Sequence, residues 1–287
     1  MGVLVIAGTT ASGKSSLAVR LAEEHGAVIV SADAMTVYRG LDVGTAKPSL
    51  TERNRVKHFG IDLRDIDEEF DVDAFVRMVD STISNHPNVI VVGGTTFWLS
   101  ALLRPLAELP AGSPELREQL ASQDDPHDAL TKIDPETAAR LHPNDRVRIV
   151  RALEVHVLTG KTQTQLHAEG SNRAPLDAEV VFLDSTDWVS RINERTAAMV
   201  GEGYVEEVER VLNEGWSIGC KPLRSFAYRH LVEHCQGDLS LDEAIRRTAR
   251  DTRHYSKKQR TWARNLDWKP SDLAMIDEAT KAAFKEA

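Results

Sequence analysis

The chain has 287 residues, 41% hydrophobic and 28% charged, an ordinary globular composition that excludes a disordered tail, a collagen-like repeat and a membrane bundle. Its 35 Lys and Arg against 44 Asp and Glu leave a net charge of −9, so the molecule repels polyanions at long range unless positive charge is concentrated locally. Cys220 and Cys235 allow at most one disulfide and cannot form a four-thiolate zinc site, which fits a reducing, cytoplasmic compartment. The ten histidines show no metal-ligand spacing. The apolar run at 3–7 is too short for a secretory signal, and no later run approaches the roughly 20 apolar residues of a membrane span.

Residues 3–7 are β-branched and continuously apolar, as a strand buried on both faces of a parallel sheet requires, and residues 27–31 and 88–92 repeat the pattern. Leu17, Ala18, Leu21 and Ala22 space a helix over 14–25, and Phe75, Val79 and Ile83 mark a second before the third strand. The alternation predicts parallel strands with right-handed crossovers, hence an α/β fold of P-loop NTPase-like type flanked by helices. After a helix over 97–103, the stretch 104–170 breaks the pattern. It reads as short helices over 115–122, 126–132 and 135–141, then a longer one that opens at Asn144 or Asp145 and closes at Gly160. This is a helical insertion domain, with 1–103 and 171–287 as the core. A last strand is expected at 180–183, followed by helices around 191–200, 204–213, 225–234 and 241–266. Trp188, Trp216, Trp262 and Trp268 are expected in the core.

Gly8-Thr9-Thr10-Ala11-Ser12-Gly13-Lys14-Ser15 matches G-x-x-x-x-G-K-[ST] between a predicted strand and a predicted helix. The glycines let successive N–H groups and the helix start face an anion, Lys14 adds a point charge, and the Ser15 hydroxyl is placed to ligate Mg²⁺. The loop specifies a diphosphate, whether of a nucleotide such as ATP or of another substrate. A kinase or ATPase usually adds an acidic Mg²⁺ ligand at a strand end, yet the third strand ends in Gly93-Gly94-Thr95. Asp33, after the second strand, is the nearest acid.

The segment 31–48, Ser-Ala-Asp-Ala-Met-Thr-Val-Tyr-Arg-Gly-Leu-Asp-Val-Gly-Thr-Ala-Lys-Pro, resembles the corresponding segment of the tRNA dimethylallyltransferases, also called tRNA isopentenyltransferases. Gly93-Gly94-Thr95, Leu141-His142-Pro143-Asn144-Asp145 with Arg148 and Arg151, and the blocks at 191–195, 224–229 and 252–264 resemble that family's blocks in order, over nearly the full length. The resemblance implies transfer of a dimethylallyl group from dimethylallyl diphosphate to N6 of adenosine 37, beside the anticodon, in tRNAs reading codons that begin with U. It implies that the loop at Gly8, Thr9, Thr10, Ala11, Ser12, Gly13, Lys14 and Ser15 holds the isoprenoid diphosphate with Mg²⁺, which accounts for the missing kinase carboxylate. It further implies a catalytic Arg195. It places contacts to the tRNA anticodon stem-loop at Asp33, Ala34, Met35, Thr36 and Thr95, at Arg117, Arg148 and Arg151, and at Arg224, Phe226, Tyr228 and Arg229. This chain departs from the family at Thr9, where Pro is usual, and at Thr96-Phe97-Trp98, Phe226-Ala227 and His254 to Lys258.

An allylic diphosphate ionises toward a delocalised cation, so stabilising the departing diphosphate is the main catalytic task, which Lys14, Mg²⁺ on Ser15, the loop amides and an arginine fork suit. The exocyclic amine needs a proton acceptor, and Asp33 at a parallel strand's carboxyl end is placed to be that base. The alternatives are a turn cap for Asp33, a solvated helix-face arginine for Arg195 and a helix N-cap for Thr95. Charge is uneven: seven acids face one arginine across 62–73, whereas eight bases face one acid across 245–264. Arg246, Arg250, Arg253, Lys257 and Arg260 recur at helical spacing as a basic stripe suited to phosphates. Arg224 and Arg229 flank Phe226 and Tyr228, an aromatic and basic mixture suited to an extruded base. A monomeric transferase is expected. Isopentenyl transfer to free AMP or ADP, a small-metabolite kinase and a non-enzymatic RNA-binding protein are the other readings.

Overall fold

The computed structural model describes residues 2–284, which form two compact units, 2–103 with 177–284 and 104–176. The larger unit contains β1 (Gly2–Gly8), α1 (Lys14–His25), β2 (Val28–Ser31), α2 (Leu50–Arg55), β3 (His58–Phe59), α3 (Val72–Asn85), β4 (Asn88–Gly93) and α4 (Thr96–Leu103). The smaller unit follows in the chain with α5 (Pro114–Ala121), α6 (Pro126–Ile133), α7 (Pro135–Arg140), α8 (Arg146–Thr159) and α9 (Gln163–Glu169). The larger unit then resumes with β5 (Glu179–Leu183), α10 (Trp188–Gly201), α11 (Tyr204–Asn213), α12 (Arg229–Cys235), α13 (Leu241–Asn265) and α14 (Leu273–Ala283).

The strands form one parallel sheet in the order β3-β2-β4-β1-β5. Every residue of β1 is buried, which is why its run of apolar side chains shows no alternation. Ala18, Val19, Leu21 and Ala22 of α1 pack into the core with Leu4, Ile6, Ile29 and Ile90, and Gly26 ends that helix at φ 59° with its N–H on the Ala22 carbonyl. Asp71 caps α3 by accepting from the Ala74 N–H at 2.8 Å, so the helix enters with Phe75 and Val79 turned inward. The sheet is therefore of the α/β, P-loop-like class that the alternation predicts. The short edge strand β3 and the helices α2, α9 and α14 were not anticipated. Ile276 of α14 and Phe284 just beyond it join the core beside β1 and β5.

Two expectations are corrected. The helix foreseen over 225–234 starts only at Arg229. Before it, residues 225–228 make a tight turn in which the Tyr228 N–H reaches the Ser225 carbonyl at 3.1 Å. The four tryptophans expected inside are not fully buried, and Trp262 is 38% exposed, because Ser256, Gln259 and Ala263 occupy the inward positions of α13. The buried indole is Trp98, stacked on Phe75 at 4.8 Å with Phe70 at its edge.

In the smaller unit, Ser113, Asp125, Asp134, Asp145 and Thr162 cap α5 to α9 through their side-chain oxygens. Its core gathers Leu120, Leu130, Ala138, Ile149, Val150 and Leu153. Burying a leucine such as Leu130 fully contributes roughly 1.5–3 kcal/mol. Among the described residues, no helix is long and apolar enough to cross a membrane.

Candidate active site

The carboxyl ends of β1, β2 and β4 converge, the place where open parallel sheets hold ligands. At the end of β1 the neighbouring strand β5 approaches so closely that a Cβ on Gly8 would lie 2.8 Å from the Leu183 carbonyl. Gly13 then takes φ 88°, a left-handed conformation open to glycine, and α1 begins without a side-chain cap. Its uncapped first turn presents N–H groups and the positive end of the helix dipole. The Lys14 ammonium folds back onto the Thr9 carbonyl at 3.2 Å. Burial pulls Lys14 down to about 8; Asp33 opposes that fall and Arg195 adds to it. An anion placed beside this lysine restores the charge that burial disfavours.

A cavity of about 330 Å³ opens from this loop, lined by Lys14, Ser15, Asp33, Thr95, Arg195 and Phe226 among others. Arg195 reaches it from α10 as the i+3 residue from Ile192, which is buried and also lines the cavity. Burial lowers the Arg195 pKa from its ordinary value and the Asp33 carboxylate opposes the shift. An open cleft beside the loop is lined by Ala11 to Ser16, Arg191 and Arg195. The side chains assigned catalytic roles from the sequence, Lys14, Ser15, Asp33 and Arg195, thus share one cavity.

Asp33 has both a turn-forming and a site-facing aspect: its Oδ1 accepts the Met35 N–H at 2.9 Å while the residue lines the cavity. Thr95 does not cap α4 with its side chain; its Oγ1 accepts the Ala34 N–H at 3.1 Å and its N–H donates to the Ala32 carbonyl at 3.1 Å, so it ties the ends of β2 and β4 together. The two glycines before it have distinct reasons. A Cβ on Gly93 would stand 2.1 Å from the Ala32 carbonyl oxygen, and one on Gly94 would stand 2.4 Å from Gln259 Nε2.

Gln259 and Tyr255 of α13 were not singled out from the sequence because both fall inside the basic stripe. Gln259 is 1% exposed, accepts the Thr10 N–H at 2.9 Å and donates to the Gly94 carbonyl at 2.9 Å, joining the anion loop to the β4 end. The Tyr255 hydroxyl donates to the same carbonyl at 3.1 Å, and its ring lies 4.9 Å from Phe226. Burial, with the Asp33 charge, pushes that hydroxyl well above its ordinary pKa, so it stays a neutral donor.

Several assigned residues stand elsewhere or are already engaged. The Thr9 N–H bonds the Leu183 carbonyl at 3.0 Å and its hydroxyl donates to Asp184 at 3.0 Å, while the Thr10 N–H is held by Gln259. The loop's anion-facing part therefore narrows toward the start of α1. Thr9 thereby anchors Asp184, which also receives Arg260 at 2.5 Å. Ala34, Met35 and Thr36 line the cavity, and Thr36 also bonds Ser31 at 3.0 Å. Tyr228 is not a base platform: its ring is fully buried and its hydroxyl donates to Glu207 at 2.7 Å. Arg229 is exposed but pairs with Asp251, and Arg224 is exposed. In the smaller unit, Arg117 and Arg151 both hold the buried Glu154, and Arg148 is an exposed side chain paired to Asp145 at 3.3 Å. The basic stripe is partly spent internally, since Arg246 pairs Glu243, Arg250 pairs Asp251 and Arg260 pairs Asp184, whereas Lys257 is exposed.

The fold and site define an α/β enzyme with a glycine-rich loop, a buried lysine and arginine, and an aspartate around one cavity. The family described as IPP transferase matches residues 36–266. The tRNA dimethylallyltransferase 1 of Citrifermentans bemidjiense is 43% identical over 271 residues, covering 91% of this chain and 88% of that protein. The tRNA dimethylallyltransferase 1 of Trichlorobacter lovleyi is 39% identical with 98% of each chain covered. Among solved structures, a eukaryotic dimethylallyltransferase acting on tRNA aligns with a TM-score of 0.79 at 26% identity, over 96% of this chain and 71% of that one. The tRNA isopentenylpyrophosphate transferase of Staphylococcus epidermidis aligns with a TM-score of 0.69 at 27% identity, over 99% of each chain. The chain belongs to the IPP transferase family and is a prenyltransferase enzyme of the tRNA dimethylallyltransferase kind.

Proposed function

We propose that this chain transfers the dimethylallyl group of dimethylallyl diphosphate to N6 of adenosine 37 in tRNAs reading codons that begin with U, releasing diphosphate and giving N6-isopentenyladenosine. One observation carries the reading: Lys14, Arg195 and the start of α1, which suit a diphosphate, share a cavity with Asp33, which suits an amine proton. Ile29, Val92, Ile192 and Met199 give the same cavity an apolar wall on which a five-carbon chain can rest.

As the carbon–oxygen bond breaks, the electron pair stays on the diphosphate, where Lys14, Arg195 and the loop N–H groups meet it. The delocalised cation is attacked by N6, and Asp33 accepts the proton that the amine sheds. Thr95 holds the turn that carries Asp33 by bonding Ala34. Mg²⁺ fits this donor set as an ion carried with the diphosphate. The Ser15 hydroxyl lies on both the cavity and the cleft, and among the described residues no cluster of three His, Cys, Asp or Glu forms a cage that would hold the ion alone. When bound, it neutralises charge on the leaving diphosphate. These groups all come from the larger unit. Exposed Arg148, Arg224 and Lys257, with Arg229, supply contacts for tRNA phosphates.

Labelled dimethylallyl diphosphate, Mg²⁺ and either tRNA or AMP test the reading: label is expected in tRNA. Label in AMP instead, or ATP consumption without isoprenoid transfer, would replace it with one of the other enzyme readings.

A further inference from the structure

Between Gly40 and Pro48 the chain forms a strap that belongs to no helix or strand yet walls the site. Thr45, Ala46 and Pro48 line the cavity, and Ala46 and Pro48 line the neighbouring cleft too, in each case with Lys14, Ser15 and Arg195. Ala46 is held at φ 50°, a conformation that non-glycine residues rarely adopt and that surrounding structure must enforce.

Two charged side chains hold the ends. Glu207 of α11, 8% exposed, accepts the N–H groups of Asp42 at 2.6 Å, Val43 at 2.8 Å and Gly44 at 3.1 Å, and the Tyr228 hydroxyl at 2.7 Å. Three successive N–H groups aimed at one carboxylate form a backbone nest, and charge-assisted bonds of this kind are stronger than neutral ones. Gly44 seats the strap on Tyr204 and Tyr228, since a Cβ there would come within 2.5 and 2.6 Å of the two rings. At the other end the buried Lys47 ammonium reaches the Tyr38 carbonyl, Asp42 and Asp62, each at 2.6 Å.

We propose that Glu207 is a positioning residue for the isoprenoid donor: by pinning residues 42–44 to α11 it fixes the Ala46 and Pro48 wall that holds the diphosphate end and keeps water from the allylic carbon. The inference rests on the donor assignment above. If the wall loosens, water competes with N6. The C1–O bond to diphosphate breaks, a water oxygen bonds C1, the diphosphate keeps the electron pair and a proton passes to solvent, giving dimethylallyl alcohol.

The full-length chain is compared with Glu207→Gln, whose amide puts an N–H donor against the nest, and with Tyr228→Phe, which loses a single bond. Glu207→Gln is expected to raise KM for dimethylallyl diphosphate about tenfold or more, to raise the ratio of dimethylallyl alcohol to modified tRNA at least fivefold, and to leave KM for tRNA within twofold. Tyr228→Phe is expected to move the same quantities by less, and it carries the comparison if Glu207→Gln does not fold. An unchanged donor KM and alcohol ratio, or a fall in kcat alone, overturns the role. Calorimetry with inorganic diphosphate separates this from the functional reading. A wild-type chain that binds diphosphate but transfers no dimethylallyl group to tRNA overturns the donor assignment, and the strap is then judged by whether Glu207→Gln weakens diphosphate binding tenfold or leaves it equal.

Discussion

In the proposed mechanism Asp33 is the residue on which the chemistry turns, because among the described residues lining the cavity the cationic groups suit the diphosphate while its carboxylate suits the amine proton. Replacing it with alanine is expected to lower kcat by ~10²–10⁴-fold, the usual contribution of a general base, while tRNA affinity persists. A second residue, Asp251, concerns stability rather than catalysis. Burial alone would raise its pKa, but His230, Arg229 and Arg250 outweigh that and hold it well below the usual carboxylate range. A depressed folded pKa contributes stability above the unfolded value of about 4 and loses it as pH falls toward the folded value. Asp251→Asn is therefore expected to be less stable than wild type by about 2 kcal/mol at neutral pH, a gap that narrows as pH drops below about 4. Denaturation midpoints measured at pH 7 and pH 3 check this; a gap that widens in acid contradicts the sign.

At the scale of elements, the site is assembled where strand ends nearly touch. Gly93→Ala places a methyl against a backbone carbonyl and is expected to cost about 2 kcal/mol or more. Gly201→Ala, at the end of α10 with nothing within 4 Å of the added carbon, is expected to be neutral or to add roughly 0.5–1 kcal/mol. Urea unfolding of both variants distinguishes a packing cause from a general intolerance of these glycines. Elements also divide what local sequence reveals from what it hides. The strand at 3–7, the glycine-lysine-serine loop and Asp33 are legible because period, turn chemistry and position are local properties. The role of Glu207 is not, because helical spacing puts it on the inward face of α11 with Tyr204, Val208 and Val211, but its partners at 42–44 lie more than 160 residues away. The same holds for Tyr228: its neighbours make it look like a surface platform, whereas Gly44 and Glu207 bury it.

For the whole molecule, the net charge of −9 is an average over unlike regions. Acid is concentrated across 62–73, where Asp62 is engaged by Lys47 and Arg53. Base is concentrated across 245–264, where ion pairs engage part of the stripe and Lys257 and Lys258 are exposed. In the proposed function a few local phosphate contacts oppose a repulsive total, so the logarithm of the tRNA binding constant is expected to fall linearly with the logarithm of salt concentration. A flat salt dependence contradicts that. The proposed transfer is tested most directly by single-turnover reaction of dimethylallyl diphosphate with tRNA, read as N6-isopentenyladenosine at position 37 by mass spectrometry, for the wild-type chain and Asp33→Ala. Rapid product formation by the wild type and a loss of at least a hundredfold in the variant, with tRNA still bound, is the predicted result; equal rates in the two, or modification at another position, would contradict it.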